Sequence, residues 1–209
     1  GTDTTLSLDT DGDSTDDTFI FLTGDATGMG LELFQSGADA TIAVRTFTGT
    51  AGDNTLYANN ANNVMNGLAG DDVLNAAGGA DYLSPGTGND TVNGGLGTDM
   101  VSFSDLGRLV NVDLGEGTAR SGLDRYVLDS IEGVTGTIHN DLLRGDDGDN
   151  RIRGLGHYDW MVGTEGSDQY DGGSGRDMLS YSEATSGVTI DLSTGRGTAG
   201  LAHGDTYTS

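Results

Sequence analysis

The most regular feature of this sequence is a nine-residue pattern of apolar and polar positions that runs from Gly49 to Ser102. In each nonapeptide, a glycine-rich stretch of six residues precedes three residues whose middle position, the eighth of the unit, is apolar. Such a triplet predicts a short β-strand with one inward side chain, and the preceding six residues predict a loop that reverses the chain. The apolar eighth positions are Leu56, Met65, Leu74, Leu83, Val92 and Val101.

The same pattern returns after a gap and covers the stretch from Gly136 to Ser180. Its eighth positions are Leu143, Ile152, Met161, Tyr170 and Leu179. Because eleven units keep one register, we expect them to stack as successive coils that bury the eighth position. The sixth position of every unit is an Asp or Asn, namely Asn54, Asn63, Asp72, Asp81, Asp90, Asp99, Asp141, Asn150, Asp159, Asp168 and Asp177.

Three other segments lack the nine-residue pattern. Residues 1–48 contain short β-rich runs, which predict a small antiparallel β cap over the first coil. Residues 103–135 alternate apolar and polar positions, as at Val110 and Val112, and predict a β insert. The expected organisation is a cap over 1–48, a first block over 49–102, the insert over 103–135, a second block over 136–180 and a partial second copy of the insert over 181–209.

A longer repeat underlies that last segment. Val112-Asp113-Leu114 returns 78 residues later as Ile190-Asp191-Leu192. The second copy stops at Ser209, before any counterpart of Ser130-Ile131-Glu132. We interpret this as a fragment boundary rather than a natural end.

The composition excludes several classes of protein. With 33 acidic and 9 basic residues, the formal net charge is −24, and such a chain repels phosphate backbones, so nucleic acid is not expected as a partner. Cysteine is absent, which excludes disulfides and thiolate metal sites. No apolar run is long enough to span a bilayer. A chain this acidic could be disordered, but the strict nonapeptide register favours a folded repeat.

The units resemble a known calcium-binding nonapeptide, G-G-x-G-x-D-x-U-x, which is typical of RTX (hemolysin-type) proteins. The matching units are GGSGRDMLS, GGLGTDMVS and PGTGNDTVN. The resemblance implies an all-β fold, a right-handed parallel β-roll with two nonapeptides per turn, here in two blocks joined by the insert. It also implies export through a type I secretion channel and folding outside the cell, and therefore a secreted, extracellular protein.

Stacking the coils has an electrostatic consequence. Residues 18 apart should lie about 4.8 Å from each other along one edge, which places Asp72 over Asp90 and Asp81 over Asp99. Two carboxylates about 5 Å apart repel by roughly 3 kcal/mol at an effective dielectric of 20. Calcium takes six to eight oxygen ligands and would remove this repulsion. We therefore predict that several Ca²⁺ ions are the cofactor, that Mg²⁺ is disfavoured, and that calcium binding drives folding.

The expected calcium ligands are the side chains of the sixth positions and carbonyl or side-chain oxygens of the loops. The weakest unit should be ANNANN, residues 58–63, because it has no carboxylate. The loop positions assigned to the metal sites are Gly67, Ala69, Gly70, Gly86, Gly88, Gly94, Gly95, Gly97, Gly145, Asp147, Gly154, Gly163, Gly172 and Ser174.

Two other parts of the sequence could suggest metal sites. The stretch DTDGDSTDD, residues 9–17, superficially suggests an EF-hand loop, but its glycine is misplaced and Ile20 stands where the bidentate acid belongs, so a solvated acidic turn is favoured. His139 and His157 lie 18 apart and should stack, which could suggest a transition-metal pair. Histidine tolerates positive φ, and that explanation is favoured at these loop positions.

The sequence does not indicate catalysis, because it has no HExxH, no GxSxG and no cysteine nucleophile. RTX repeats do accompany proteases, lipases and epimerases, so the parent protein could still be an enzyme. The alternative function is binding of an acidic polysaccharide or a cell surface as an adhesin, through outward Tyr82 and Trp160 and the arginines Arg144, Arg151 and Arg153. Pairing of these arginines with acids is favoured over that reading. The chain is expected to be monomeric.

Overall fold

A computed structural model describes residues 4–8, 18–22, 30–36 and 39–208. The regular structure is β apart from one 3₁₀ turn, Gly200–Ala202. Near the N-terminus, β1 (Thr4–Leu8) pairs antiparallel with β2 (Thr18–Leu22), and β3 (Gly30–Ser36) pairs antiparallel with β4 (Asp39–Thr48).

The first block forms one short strand per nonapeptide, as the triplets around the eighth positions predict. Two extra two-residue strands lie within the loops. The strands of this block are β5 (Thr55–Tyr57), β6 (Val64–Asn66), β7 (Val73–Asn75), β8 (Gly78–Gly79), β9 (Tyr82–Ser84), β10 (Asp90–Asn93), β11 (Leu96–Gly97) and β12 (Met100–Ser102).

The remaining strands belong to the insert, the second block and the C-terminal segment. The insert contains β13 (Asn111–Asp113), β14 (Thr118–Ser121), β15 (Asp124–Asp129) and β16 (Gly133–Thr135). The second block contains β17 (Leu142–Arg144), β18 (Arg151–Arg153), β19 (Gly156–His157), β20 (Trp160–Val162), β21 (Gln169–Asp171), β22 (Ser174–Gly175) and β23 (Met178–Ser180). The last segment contains β24 (Thr189–Asp191), β25 (Arg196–Ala199) and β26 (Thr206–Thr208).

Alternate nonapeptides place their strands in two long sheets. The first sheet has the order β23-β20-β17-β13-β14-β15-β10-β7-β5, and the second has the order β24-β25-β26-β21-β18-β16-β12-β9-β6-β4-β3. Strands of units 18 residues apart pair in parallel, for example Leu56 with Leu74 and Met65 with Leu83. This arrangement confirms the all-β parallel β-roll.

The insert takes part in both sheets. Strand β16 pairs in parallel with β12 on one side and β18 on the other, so the second sheet continues from one block to the next. In the first sheet, the antiparallel strands β13, β14 and β15 lie between β17 and β10. The two blocks are therefore joined by continuous hydrogen-bonded sheets.

The core is a narrow column of side chains between the two sheets. The eighth-position residues Met65, Leu74, Leu83 and Val92 are fully buried, as the pattern predicted. Burying an aliphatic side chain of this size contributes about 1.5–3 kcal/mol. The insert adds aromatic packing, with the ring of Phe103 edge-on to Tyr126 at a centroid distance of 4.9 Å.

At one end of the core, Phe47 of β4 is buried and pairs in register with Met65. Strand β4 thus continues the second sheet beyond the first coil. Across the described ranges, no helix is long and apolar enough to cross a membrane.

Candidate calcium sites

The sixth-position side chains form hydrogen-bonded ladders along the edges of the roll. In each step, the backbone N–H of one sixth position donates to the carboxylate Oδ1 of the sixth position 18 residues later. Asn54 donates to Asp72 at 2.7 Å, and Asp72 donates to Asp90 at 2.8 Å. The second block repeats the arrangement, with Asp141 donating to Asp159 at 2.9 Å and Asp159 to Asp177 at 3.0 Å. One oxygen of each of these carboxylates is therefore held by the preceding coil.

The second oxygen of several of these carboxylates has no such partner. In five aspartates the Oδ2 atom is buried and receives no hydrogen bond from any residue in the described part of the chain. None of the five residues is more than 2% exposed. Burying an ionised carboxylate without a compensating charge or donor costs several kcal/mol, so each site requires a cation or a proton. The five residues are Asp72, Asp81, Asp90, Asp99 and Asp159.

The same burial changes the acidity of these groups. The pKa of Asp90 is raised to about 7, chiefly by desolvation and also by the neighbouring charge of Asp72, while the hydrogen bond from the Asp72 amide opposes the rise. Desolvation also raises the pKa of Asp81 and of Asp159 to about 6. Without a metal ion, these carboxyl groups would bind protons near neutral pH.

The first-position glycines leave room beside the unpartnered oxygens. A Cβ added at Gly67 would lie 2.5 Å from Asp72 Oδ2 and would also meet the carbonyl oxygen of Pro85 in the next coil. A Cβ at Gly154 would lie 2.8 Å from the carbonyl oxygen of Gly172 and would meet the Oδ2 atom of its own unit's aspartate. A carboxylate and a carbonyl oxygen converge at these points. Oxygen donors of both kinds suit Ca²⁺, so the residues present fit the metal that the sequence predicts.

The loops also approach each other closely through glycines of left-handed conformation. Gly97 has a φ of +142°, and a Cβ at this residue would collide with the carbonyl oxygen of Gly79. Gly88 has a φ of +133° and faces the carbonyl oxygen of Gly70 in the same way. Only glycine combines this backbone with such close stacking.

Not all of the sixth positions predicted as ligands have an unpartnered oxygen. Asp168 Oδ2 accepts hydrogen bonds from the Tyr170 hydroxyl at 2.8 Å and the Thr164 hydroxyl at 3.1 Å. Asp141 Oδ2 accepts the N–H of Thr137 at 2.5 Å. The structure places these aspartates in the ladders, but it supplies their oxygens with protein donors.

Two units have an asparagine at the sixth position beside an acid at the fifth, and their asparagine side chains also accept a hydrogen bond from their own loop. The side-chain oxygen of Asn54 accepts the N–H of Thr50 at 2.5 Å, and that of Asn150 accepts the N–H of Asp146 at 2.7 Å. In the unit without carboxylates, the N–H of Asn63 donates to Asp81 Oδ1 at 2.6 Å.

Two acids extend the ladders at positions that the sequence analysis missed. The N–H of Asp99 donates to Glu132 Oε2 at 2.8 Å, and the N–H of Asp168 donates to Asp205 Oδ1 at 2.9 Å. Glu132 lies two residues before the inward residue of β16, and Asp205 lies two residues before the partly buried Tyr207 of β26. Asp99 likewise precedes its inward valine by two residues, so the same spacing is present in the sequence at Glu132 and Asp205. It was not recognised because the loop before β16 is shorter than six residues and the segments before β16 and β26 do not follow the nine-residue pattern.

A second ladder runs through the fifth positions and was also missed. The N–H of Asp71 donates to Asp53 Oδ1 at 2.8 Å, and the N–H of Asn89 donates to Asp71 Oδ1 at 2.8 Å. In this ladder the side-chain acceptor comes from the earlier coil, which is the reverse of the sixth-position ladder. These exposed acids stabilise the loops by accepting backbone N–H groups.

The described residues contain no group of three or more His, Cys, Asp or Glu side chains around one point. Each coil supplies one sixth-position residue at each edge, so the remaining ligands of a calcium ion must be backbone carbonyls and water. The rings of His139 and His157 stack with a centroid distance of 6.3 Å and an interplanar angle of 27°. The acidic stretch 9–17 lies outside the described residues.

A comparison with protein families supports the same reading. The model of the RTX calcium-binding nonapeptide repeat matches four overlapping stretches, residues 48–83, 67–101, 135–169 and 144–179. The chain carries RTX calcium-binding repeats. The RTX matches cover both blocks, nearly half of the chain, and confirm the predicted family. This repeat is a calcium-binding module rather than a catalytic domain, so the two matched blocks form a calcium-binding module. A comparison with curated proteins gives no match.

Proposed function

We propose that this chain is the calcium-binding β-roll of a secreted bacterial protein, which is exported unfolded by type I secretion and folds when it meets calcium outside the cell. The observation that carries the proposal is the set of five buried carboxylate oxygens without donors. Five such groups would oppose folding at neutral pH, so the β-roll is stable only when positive charge reaches them.

The ligands proposed for calcium are sixth-position carboxylates whose Oδ2 atom has no protein donor, together with the loop carbonyls beside them. At the first coils these are Asp72 Oδ2 with the carbonyl oxygen of Pro85, and in the second block they are Asp159 Oδ2 with the carbonyl oxygen of Gly172. When bound, calcium supplies the positive charge that neutralises these oxygens. The chain positions the oxygens by holding each Oδ1 atom in the amide ladder, which leaves Oδ2 free.

The affinity required is modest. If a site has a dissociation constant near 0.1 mM, ~10 mM calcium stabilises the folded chain by roughly 2.7 kcal/mol per site. Several such sites together contribute an amount comparable to the whole stability of a typical domain, about 5–15 kcal/mol. In calcium-poor cytosol the chain would remain unfolded, and outside the cell it would fold.

The test is a calcium titration of the calcium-free chain followed by far-ultraviolet circular dichroism. We expect a disordered spectrum in chelator and a cooperative gain of β signal at millimolar calcium, with magnesium failing to substitute. A β spectrum at neutral pH in chelator, unchanged by calcium, would contradict the proposal.

A second candidate function, polysaccharide binding, is supported by one surface feature. Leu142, Trp160 and Met178 stand in register across β17, β20 and β23 and are all exposed, with Trp160 at 46%. The arginines give little support, because Arg144 forms a two-point ion pair with Glu183 at 2.9 and 2.7 Å. Quenching of the tryptophan fluorescence by alginate and by a neutral glycan, with and without calcium, tests this function.

A further inference from the structure

The eleven nonapeptide loops fall into two classes by the backbone of their second residue. In six loops this residue has a positive φ, between 70° and 91°. In the other five loops, which begin at residues 49, 58, 136, 145 and 163, the second residue has no positive φ. We call the first class open loops and the second class closed loops. The second residues of the open loops are Leu68, Ala77, Gly86, Gly95, Leu155 and Gly173.

The two classes differ in how they treat the sixth-position side chain. In closed loops, the second residue donates a hydrogen bond to it from its N–H or hydroxyl group, as Thr137 does to Asp141 and Thr164 to Asp168. In open loops, the left-handed backbone turns this donor away. All five aspartates with an unpartnered buried Oδ2 atom belong to open loops. The sixth open loop ends in Asp177, whose Oδ2 would lie 2.5 Å from a Cβ at Gly172.

The open loops are also stacked against each other in pairs. Loop 67–72 bridges to loop 85–90 through Ala69 and Thr87. Loop 76–81 pairs with loop 94–99 through β8 and β11, and loop 154–159 pairs with loop 172–177 through β19 and β22. Within the described ranges, no closed loop takes part in such a pairing. The six open loops therefore form three pairs, and each pair contributes two aspartates, one from each coil.

At the C-terminal end, tyrosine side chains contact the acids of the ladder and fill the space beside a first-position glycine. The Tyr181 hydroxyl donates to Asp205 Oδ2 at 2.5 Å, and the Tyr170 hydroxyl donates to Asp168 Oδ2 at 2.8 Å. The ring of Tyr181 covers Gly163, where a Cβ would lie 2.9 Å from its Cζ atom. The space beside this first position is therefore filled by an aromatic ring, and both acids already have donors.

We propose that calcium binds only between paired open loops, one ion to each pair, so that the chain holds three ions and the closed loops hold none. This inference rests on the proposed calcium-binding function and deepens it. The ions lie between Asp72 and Asp90, between Asp81 and Asp99, and between Asp159 and Asp177. The sixth-position side chains of the closed loops, Asn54, Asn63, Asp141, Asn150 and Asp168, act as hydrogen-bond acceptors rather than calcium ligands.

The number of ions can be counted by native mass spectrometry and by calorimetric titration of the whole chain. We expect three calcium ions on the wild type. Asp90→Asn and Asp177→Asn, each in an open loop, should each reduce the number to two. Asp168→Asn is the matched control, because it makes the same chemical change at a buried sixth position in a closed loop, and it should keep three.

A second measurement does not depend on the folding of the open-loop variants. Crystals of the wild type grown with terbium in place of calcium should show three anomalous peaks, all between open loops. In solution, the single tryptophan, Trp160, adjoins Asp159 and should sensitise terbium emission. That emission should persist in Asp168→Asn.

The outcomes separate the two proposals. Binding of no calcium at all would overturn the calcium-binding function itself. Binding of five or six ions, a peak beside Asp168 or Asp141, or loss of an ion in Asp168→Asn would overturn only the division into open and closed loops.

Discussion

In the absence of calcium, acid should stabilise the β-roll, because the buried aspartates then bind protons instead of metal. Asp90 illustrates the magnitude, since burial raises its pKa from 3.8 to about 7. One pKa unit is worth about 1.4 kcal/mol, so ionised Asp90 destabilises the calcium-free folded form by about 4 kcal/mol. Asp81 and Asp159, each with a pKa raised to about 6, add about 3 kcal/mol each by the same conversion.

The direction of the effect follows from proton linkage. These carboxyl groups bind protons more tightly in the folded chain than in the unfolded chain, so folding is favoured at low pH. The favourable contribution is complete below pH ~4 and is lost as pH rises through the folded-state pKa values of about 6 to about 7. Calcium-free chain should therefore show more β structure at pH 5 than at pH 8, and saturating calcium should abolish most of the difference.

The assay is circular dichroism of metal-stripped protein, with urea unfolding at each pH. Lower pH also reduces the net negative charge, and two variants separate that effect from burial. Asp90→Asn removes a buried charge and should flatten the pH dependence, whereas Asp105→Asn removes an exposed charge and should leave it unchanged. Equal β content at pH 5 and pH 8 without calcium, or equal effects of the two variants, would refute the reasoning.

Three further substitutions test the packing in saturating calcium by urea unfolding. Gly97→Ala should lower the free energy of unfolding by about 1–3 kcal/mol or more, because its φ of +142° is left-handed and the new Cβ meets the carbonyl of Gly79. Gly52→Ala is the control and should be nearly neutral, because the space around Gly52 is open. Equal losses in the two variants would contradict the close stacking of the loops. Leu83→Ala should cost about 2–5 kcal/mol because it leaves a cavity between the sheets, and a cost below 1 kcal/mol would argue against a packed core. Tyr126→Phe should lower the free energy of unfolding by about 1 kcal/mol, because it removes the 2.9 Å hydrogen bond from the Tyr126 hydroxyl to the carbonyl oxygen of Gly86. An unchanged urea midpoint would show that this hydrogen bond does not contribute to stability.

The parts of the structure that repeat strictly were predictable. The eighth positions identified the buried column, and the sixth positions identified the acids along the edges, because a fixed spacing in sequence becomes a fixed position on a coil. The family and the all-β roll followed from the same register. The insert was predicted as β structure, but its continuity with both sheets depends on the pairing of β16 with distant strands, which has no local signal.

The parts that depend on backbone conformation were not predictable. Leu68 and Leu155 have left-handed φ values of 80° and 84°, which residues other than glycine rarely adopt. A leucine at the second position therefore gives no sign of an open loop. The expected repulsion between stacked carboxylates also omitted the amide ladder, which commits one oxygen of each acid. Asp168 and Asp205 accept hydrogen bonds from the hydroxyls of Tyr170 and Tyr181. These contacts depend on the geometry of the coils, so the sequence pattern does not predict them.

The direction of the sixth-position ladder has a consequence for how the molecule can be shortened. Because each backbone N–H in this ladder is accepted by an acid from the following turn, no turn carries its own acceptor. Deleting residues 200–208, for example, would remove Asp205, the acceptor of the Asp168 N–H, although Asp168 itself is retained. Every truncation from the C-terminal side therefore removes the hydrogen-bond acceptor of the last retained turn. A shortened chain would need a new C-terminal cap that places an oxygen acceptor opposite that N–H group.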